Sequence, residues 1–350
     1  MSEKIPRVSI GMPVWNSKPA YFQRALESLL AQEFGDFELI LSDNASAEPA
    51  RQMYNDAAKL DSRIRLVRHD VNGGVITNFR FVLQQARADI FMWAADDDDR
   101  SPQLLRRAVA VLDARPECVS VGTQTMMIDA DGRRLWRAEV DGATANARSP
   151  ARRLLSLTAP WPNIDVYAVH RRRVLNDLDL TLQSIWLDRN IIIDILLHGP
   201  IARIDEELFY YRLPPASQEN YERRAHQHFG EAAIPASNAG NGNPWAGYDF
   251  ATAAFRQLAT VLVSRAPLSG SERAQCFLAL ASVLMRQGWF TRDELYATMP
   301  ELKRAIGDRD IASSLRHGLR VLTLSPTLPF TGGARKALAL LRRRGAPPQQ

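Results

Sequence analysis

The sequence predicts an α/β fold, a doubly wound, mostly parallel β-sheet with helices on both faces, followed by a C-terminal helical extension. Short apolar runs rich in Val and Ile alternate with helical stretches through the first 125 residues, a pattern typical of a parallel sheet covered by helices. Of the 350 residues, 46% are hydrophobic, which is enough for one large core and an accessory region. Beyond residue 248 the pattern is helical only.

Strands and helices alternate strictly in the N-terminal part. We predict strands at Val8–Met12, Phe37–Ser42, Ile64–Arg68, Ile90–Ala94 and Cys118–Thr123. We predict helices at Ala20–Gln32, Pro49–Leu60, Val75–Ala86 and Pro102–Ala114. In the first helix, Phe22, Leu26, Leu29 and Leu30 recur at helical spacing and form one apolar face.

The middle of the chain departs from this alternation. An Asp131-Gly132 turn between Met126–Ile128 and Leu135-Trp136 predicts an antiparallel hairpin. We then predict a strand over Ile164–His170, a helix over Asp188–His198 and a strand pair that ends at Arg212. A lone histidine inside an apolar strand is more often structural than a ligand, and we interpret His170 in that way.

Three regions follow from this pattern. Residues 1–229 form the α/β domain, and residues 230–247 are dense in Ala, Gly, Asn and Pro, which indicates a linker or mobile loop. Residues 248–350 form a helical region that includes the helices Tyr248–Ser264 and Ser271–Gln287. Its basic, amphipathic tail suits either a packing face or peripheral contact with an anionic membrane.

Charge and cysteine content exclude several classes of protein. The seven basic and no acidic residues from Ile311 onward leave 37 basic and 39 acidic residues before it, which argues against a nucleic-acid-binding body. Two cysteines, Cys118 and Cys276, are too few for a disulfide framework. The N-terminus is charged and resembles no secretory signal. We therefore expect a cytoplasmic protein, peripheral at the inner face of the membrane if the tail docks there.

Polar residues cluster where the predicted strands end. In doubly wound sheets, ligands bind beyond the carboxyl ends of the strands. Neither a GxGxxG nor a GxxxxGK[ST] motif is present there. The polar strand ends are Pro13-Val14-Trp15-Asn16, Asp43-Asn44, Asn72-Gly73-Gly74 and Asp96-Asp97-Asp98-Asp99.

The acidic run is the strongest of these signals. Two unit charges 4 Å apart repel by roughly 4 kcal/mol at an effective dielectric of 20, so converging carboxylates favour a bound cation. Oxygen ligands of this kind suit Mg²⁺ or Mn²⁺, which commonly bridge carboxylates to substrate phosphates. The alternative is an acidic loop before a helix that Ser101 caps and Pro102 begins.

Four segments together resemble the GT-A domain of family 2 glycosyltransferases: VSIGMPVWN, FELILSDNAS, NGGVITNF and ADIFMWAADDDDRSP. The resemblance covers Val8 to Leu213. It implies a nucleotide-sugar donor, which Trp15 contacts by stacking on the base and Asp43 by accepting a base N–H. The same resemblance places Asn78 near the ribose or diphosphate. The donor-binding set that we predict is Pro13, Val14, Trp15, Asn16, Asp43, Gly74, Asn78, Asp96 and Arg212.

The family's DxD motif is altered in this chain. When Pro102 is aligned with the family's proline, Ala95 takes the first acidic position and Asp97 the second. The resemblance then implies Asp97 as a ligand of Mn²⁺ or Mg²⁺, with Asp98 as a second ligand and Asp96 near the ribose or diphosphate. A slip of one residue makes the ligand pair Asp96 and Asp98 instead.

A second carboxylate is needed to deprotonate the acceptor. The segment SIWLDRNIIIDILLHGPIARIDEELFYYR resembles the family's base-bearing helix, and counting back from Gly199 implies Asp188 as the base. Arg212, which ends this segment, is expected to reach the diphosphate. Trp161 and Asn163 fall where the resemblance places acceptor-facing loops.

The resemblance thus implies an inverting hexosyltransferase that moves a sugar from a nucleotide-diphosphate donor to a hydroxyl of a glycan or lipid-linked acceptor, in cell-surface polysaccharide synthesis. Two alternatives stay open. One is a sugar-phosphate nucleotidyltransferase, and the other is a degenerate nucleotide-sugar-binding module, which Ala95 and Leu187 motivate.

Overall fold

The computed structural model describes residues 4–159, 162–178, 187–213 and 250–287. The predicted linker and the basic tail lie outside these ranges. Within them, no helix combines the length and the apolar composition that crossing a bilayer requires.

The N-terminal half forms four parallel strands with helices between them. The strands are β1 (Val8–Val14), β2 (Phe37–Asp43), β3 (Ile64–Arg68) and β4 (Ile90–Trp93). The helices are α1 (Pro19–Leu30), α2 (Ala50–Leu60), α3 (Val75–Gln84) and α4 (Leu104–Ala114). Each lies within a few residues of its predicted position, and the predicted α/β class with helices on both faces is confirmed.

The sheet is mixed beyond this parallel part. Its remaining strands are β5 (Asp99–Arg100), β6 (Ser120–Ile128), β7 (Arg134–Arg137), β8 (Val169–Arg171) and β9 (Ile201–Arg212). The strand order is β3-β2-β1-β4-β8-β6-β9-β5, with β7 paired to β6. β8 is antiparallel to both β4 and β6, β9 is parallel to β6, and β5 is antiparallel to β9.

Two apolar clusters cover the two faces of the sheet. One cluster packs α1, α2 and α4 against it. The other packs α3 together with α8 (Leu187–His198), α9 (Phe250–Val263) and α10 (Gly270–Arg286). The short helices α5 (Gly142–Ala145), α6 (Pro150–Leu154) and α7 (Arg172–Asn176) complete this second layer. The C-terminal helices therefore share one core with the α/β domain.

Gly11 in β1 permits the close approach of α3. A Cβ at this position would lie 2.7 Å from Val82 Cγ2 and 2.8 Å from Phe91 Cζ, closer than packed carbons allow. Because Gly11 has no side chain, α3 packs directly on β1 and β4, the strands that precede Trp15 and the acidic run.

Two segments differ from the sequence prediction. Residues Pro162–Tyr167 form a 3₁₀ helix, and only Val169 and His170 of the predicted strand Ile164–His170 are extended, as part of β8. The predicted strand pair before Arg212 is one continuous strand, β9. His170 is structural, as we expected: it is fully buried, and its Nδ1 lies 2.7 Å from Ser120 Oγ and its Nε2 3.1 Å from the Val166 carbonyl oxygen.

Candidate active site

The strand order reverses at β1, which has β2 on one side and β4 on the other. Such a reversal opens a crevice beyond the carboxyl ends of the strands, where α/β proteins bind ligands. The turn after Val14, the end of β2 at Asp43 and the acidic run after β4 all lie at this edge. The structure therefore brings these predicted donor-binding segments together.

The turn after β1 exposes a short polar segment. Val14 is buried, whereas Pro13 and Trp15 are half-buried and Asn16 is exposed in a left-handed conformation with a φ of 47°. The Asn16 amide donates to Ser46 Oγ at 2.9 Å, and its Oδ1 accepts from the Ala47 amide at 2.9 Å. These bonds hold the turn against the segment after β2. Trp15 is half-buried in this turn, and its predicted stacking on a base stays a prediction.

Asp43 is completely buried at the end of β2. Its Oδ1 accepts from the Ser46 amide at 2.9 Å, and its Oδ2 accepts from Arg68 Nε at 2.8 Å. The carboxylate thus fixes both the loop that follows and a neighbouring arginine. Its predicted contact with a base N–H stays a prediction, because in this structure the carboxylate has no exposed surface.

The segment before α3 is ordered by amide side chains. Asn44 Nδ2 donates to Asn72 Oδ1 at 2.7 Å, and the Gly74 amide donates to the same oxygen at 2.8 Å. Gly74 has a φ of 83°, which a glycine adopts without strain, and α3 begins directly after it. These bonds hold the Gly74 backbone beside the end of β2, at the edge of the crevice.

Asn78 faces the interior of the protein. It is 3% exposed, its Oδ1 accepts from Ser42 Oγ at 2.5 Å, and its Nδ2 donates to the Ser42 carbonyl at 2.9 Å. Because both ends of the side-chain amide are bonded to β2, the structure gives Asn78 a role in fastening α3. The predicted proximity to a ribose or diphosphate remains a prediction.

The carboxylates of the acidic run differ in exposure. Asp96 and Asp97 are half-buried at the crevice, and Ser17 Oγ donates to Asp96 Oδ2. Asp98 is 1% exposed; its Oδ1 accepts from the Arg212 amide at 2.8 Å, and its Oδ2 has no hydrogen-bond partner within the described residues. Asp99 Oδ2 accepts from Arg24 Nη2 at 3.0 Å. Asp99 is also half-buried, but both Arg24 and Arg212 bind it.

Arg212 is not on the donor surface, and this corrects our expectation that it reaches the diphosphate. The side chain is 1% exposed. It donates through Nε to the Asp97 carbonyl at 2.7 Å, through Nη1 to the Asp129 and Ala130 carbonyls at 3.0 and 3.1 Å, and through Nη2 to Asp99 Oδ2 at 2.8 Å. Every guanidinium nitrogen is engaged, so Arg212 holds the acidic loop against the β6–β7 turn.

Three arginines offset much of the charge of the acidic run. Arg24 and Arg212 bind Asp99, and buried Arg100 lies close enough to Asp98 to favour its ionised form. Burial nevertheless raises the pKa of Asp98 well above its usual range, and the charge of Asp97 adds to this rise. The protein thus supplies its own cations to Asp98 and Asp99, which lessens the repulsion that we expected a bound cation to relieve.

Asp97 and Asp98 fit a cation that is held jointly with substrate. Within the described ranges, no three His, Cys, Asp or Glu side chains converge as an all-protein metal cage would require. Mg²⁺ and Mn²⁺ commonly take one or two carboxylates and complete their shell with phosphates and water. Half-exposed Asp97 and the unpartnered buried Oδ2 of Asp98 suit that kind of site.

Asp188 lies in the first turn of α8 and is half-buried. Its Oδ1 accepts from the Arg189 amide at 2.8 Å, and the Asn163 side chain also bonds to the carboxylate. Burial raises the pKa of Asp188, and these two hydrogen bonds partly oppose the rise. A partly buried carboxylate with a raised pKa is a candidate general base. Trp161, the other predicted acceptor-side residue, lies outside the described residues.

Both groups of carboxylates influence Tyr167, which no sequence motif indicated. Burial raises the pKa of its phenol well above the usual value, and Tyr211, Asp98, Asp97 and Asp188 raise it further. Carboxylates from the acidic loop and from α8 thus act on one hydroxyl. Tyr167 ends the 3₁₀ helix that also carries Asn163, so a correct prediction of that helix would have indicated it.

Residues 9–178 match the family model described as Glycosyl transferase family 2. Curated relatives include the uncharacterized glycosyltransferase EpsJ of Bacillus subtilis, which is 32% identical over 29% of this chain and 29% of its own length. The putative glycosyltransferase EpsE of the same organism is 29% identical over 36% of this chain and 46% of its own length. The chain therefore spans less than half the length of these relatives.

The fold resembles that of a solved structure at low sequence identity. Residues 1–349 of S. aureus TarS, crystallised in complex with UDP-GlcNAc, superpose with a TM-score of 0.54 at 19% identity, over 82% of this chain and 74% of that one. The likeness shows the fold, which is the GT-A fold.

Proposed function

Residues 9–178 belong to glycosyl transferase family 2, and from that premise we propose that the protein is an inverting, metal-dependent hexosyltransferase. Its donor is a nucleotide-diphosphate sugar, and its acceptor is a hydroxyl of a glycan or a lipid-linked saccharide. The cofactor in this proposal is Mn²⁺ or Mg²⁺, held by Asp97 with Asp98 as the second candidate ligand.

The observation that carries the proposal is the 3₁₀ helix Pro162–Tyr167, which connects Asp188 with the strand beside the acidic loop. Asn163 of this helix bonds to the Asp188 carboxylate. The Tyr167 ring lies 5.7 Å from the ring of Phe209, and the strand of Phe209 pairs with Asp99-Arg100 of the acidic loop. A glycosyl transfer needs a place for the diphosphate and a base for the acceptor hydroxyl, with the reacting carbon between them. We propose that the acidic loop holds the diphosphate and that Asp188 is the base.

The proposed reaction is one in-line displacement. Asp188 takes the proton of the acceptor hydroxyl while that oxygen forms a bond to the anomeric carbon. The bond from this carbon to the diphosphate oxygen breaks, and its electron pair leaves with the diphosphate. Attack opposite the leaving group inverts the anomeric configuration. A bound divalent cation supplies positive charge for the departing diphosphate.

The donor side of the crevice supports binding of a nucleotide. The half-buried ring of Trp15 offers a stacking face for a base, and the exposed Asn16 side chain lies beside it. The acidic loop reaches this turn through the bond between Ser17 and Asp96. The base and the diphosphate sites are therefore linked by one short hydrogen-bonded connection.

The names of relatives guide the choice of substrates. WcaA of Escherichia coli, 29% identical over 29% of this chain, is called a putative colanic acid biosynthesis glycosyl transferase. RfbC of Myxococcus xanthus, 28% identical over 37% of this chain, is called an O-antigen biosynthesis protein. These names support a role in the synthesis of a cell-surface polysaccharide. Since TarS was solved with UDP-GlcNAc, that donor is the first to test.

The location of the reaction follows from the acceptor. A lipid-linked acceptor is held at a membrane, and we propose a cytoplasmic protein that reaches the inner face of the membrane through the basic tail beyond Ile311. Sedimentation with anionic and with neutral vesicles tests this directly. Equal sedimentation with both, or with neither, would contradict contact through a basic segment.

A panel of nucleotide-sugars tests the function. Donor binding to the native protein raises its apparent stability, so the melting temperature is measured with each donor, with and without Mn²⁺. Donors that bind are then offered with acceptors and with water. We expect one donor class to stabilise the protein more strongly with Mn²⁺ and to be consumed. Pyrophosphate release from a nucleoside triphosphate and a sugar phosphate would indicate a nucleotidyltransferase instead.

One feature favours a second candidate function. Ala95 stands at the first acidic position of the family's motif, and this loss suits a module that binds nucleotide-sugars without turnover. Tight donor binding with no transfer to any acceptor or to water would support that candidate over the enzyme.

A further inference from the structure

The family match ends at residue 178, before α8, so it leaves open what the C-terminal helices contribute. α9 and α10 pack on α8 within one apolar cluster, which includes Ile192, Leu258 and Leu284. This packing alone shows only that the helices stabilise the fold. The polar contacts within the interface indicate that these helices also hold α8 in a fixed position.

Arg189 forms the polar connection between α8 and both C-terminal helices. Its guanidinium is buried, with 3% of the residue exposed. Nε donates to Gln257 Oε1 on α9 at 3.0 Å, and Nη2 donates to Gln287 Oε1 at the end of α10 at 2.7 Å. Nη2 also lies 3.3 Å from the Leu157 carbonyl oxygen, to which Gln287 Nε2 donates at 2.9 Å.

The backbone of the same residue contacts the proposed base. The Arg189 amide donates to Asp188 Oδ1 at 2.8 Å, and the two residues are neighbours in the first turn of α8. From the other side, Asn163 bonds to the Asp188 carboxylate. The orientation of Asp188 is therefore set by the 3₁₀ helix on one side and by Arg189 on the other.

A second connection fastens the opposite end of α8. Ser264, just beyond α9, donates through its hydroxyl to Asp194 Oδ1, and Arg273 of α10 donates to the Ser264 carbonyl at 3.1 Å. With bonds near each end, α8 has little freedom to rotate or slide against the C-terminal helices. Such shifts would otherwise move Asp188 relative to the acidic loop.

We propose that α9 and α10 form part of the active site, and that Arg189 is the positioning residue through which they hold Asp188. The catalytic part of this inference rests on the proposed function. A displacement of about 1 Å at a reacting group can lower a rate by roughly a hundredfold, so the positioning of the base has direct kinetic consequences.

The charge of Arg189 also affects the pKa of Asp188, and this effect distinguishes a positioning role from a simple loss of stability. Its guanidinium favours the ionised form of Asp188. A substitution at Arg189 leaves the burial of Asp188 and the nearby Tyr167 phenol unchanged. Removing the charge should raise the pKa of Asp188. Since the base acts when ionised, the acidic limb of the pH profile of kcat then moves to higher pH.

Arg153 provides a matched control at the other end of α8. It is 4% exposed, and it donates to the Leu196 carbonyl at 2.5 Å and to the Leu197 carbonyl at 3.3 Å. Burial lowers the pKa of both arginines to about 10. Arg153→Met therefore removes a similarly buried cation of α6 that is bonded to the C-terminal end of α8, without touching the turn that carries Asp188.

The experiment compares Arg189→Met, Arg189→Lys and Arg153→Met with the wild type in the full chain. For Arg189→Met we expect kcat to fall by roughly tenfold or more while the donor KM stays within about twofold. The acidic limb of its pH profile of kcat should move to higher pH. Arg189→Lys keeps the charge and should leave this limb in place. Arg153→Met should lose comparable stability and leave both kcat and the limb nearly unchanged.

Amide hydrogen exchange over residues 187–191 tests the positioning without any assay of transfer. We expect faster exchange there in Arg189→Met, and in Arg153→Met faster exchange only over residues 195–198. Unchanged exchange in the first turn, or an equal fall of kcat in both methionine variants, would overturn the inference. If the wild type transfers no sugar, the proposed function fails, and the exchange measurement still decides whether Arg189 holds this turn.

Discussion

At the scale of residues, the carboxylates of the acidic run differ in their exposure and in the groups that bind them. Asp98 and Asp99 are engaged by the protein, through the Arg212 amide and through the guanidinium groups of Arg24 and Arg212. Asp96 and Asp97 are half-buried at the crevice. The sequence locates the run, but identical neighbouring residues carry no sign of which of them is buried.

Asp97→Asn should abolish the metal-dependent part of donor binding. The substitution keeps the size of the side chain and removes the charge that favours a divalent cation. The measurement is the shift in melting temperature that Mn²⁺ adds in the presence of UDP-GlcNAc. Asp113→Asn, at an exposed carboxylate of α4, is the control and should behave as the wild type. Loss of the shift in Asp96→Asn but not in Asp97→Asn would instead favour Asp96 and Asp98 as the ligand pair.

At the scale of elements, local patterns predicted the helices and the parallel strands because each buries its own apolar face. They failed for Pro162–Tyr167, where alternation of apolar and polar residues indicates a strand. In the structure, Asp165 from this segment binds Arg203 of β9 at 2.7 Å, with both side chains largely buried. An ion pair between distant parts of the chain is not visible in a local pattern.

The prediction of two strands in place of the single strand β9 failed for a related reason. Its polar stretch Asp205-Glu206-Glu207 resembles a turn between two strands. In the structure, the pairing of β9 with β6 changes register at Gln124, and the strand continues through this irregularity. Register shifts of this kind let a strand accommodate extra residues without a turn.

Arg212→Met should destabilise the protein substantially, since it removes the contact between the acidic loop and the β6–β7 turn. Breaking a buried ion pair by deleting one partner commonly costs roughly 3–5 kcal/mol, because the other charge is left without compensation. Urea denaturation measures the change. Arg133→Met, which removes an exposed arginine of the same hairpin, should change the stability little. Equal effects of the two substitutions would contradict the structural role of Arg212.

At the scale of the whole molecule, the C-terminal helices and the α/β domain share one core. α9 and α10 contribute residues to the cluster that also contains α3 and α8. The sequence predicted these helices but not their attachment, because a helical pattern does not specify the partner of its apolar face. The two parts should therefore unfold together.

Leu258→Ala tests this cooperativity. Leu258 of α9 is fully buried, and such a substitution in a core typically costs roughly 2–5 kcal/mol. We expect a single urea transition, shifted to lower concentration and identical by tryptophan fluorescence and by circular dichroism. Leu60→Ala, at an exposed leucine of α2, is the control. An early, separate transition in circular dichroism would mean that the C-terminal helices unfold independently.

The most direct test of the proposed chemistry is Asp188→Asn, measured for donor binding and for transfer in the same preparation. The amide keeps the shape of the carboxylate but has no capacity to take the acceptor proton. We expect unchanged stabilisation by the donor and Mn²⁺, and a fall in kcat by roughly a hundredfold to ten-thousandfold, the range that general base catalysis contributes. Transfer at the wild-type rate in this variant would contradict the assignment of Asp188 as the base.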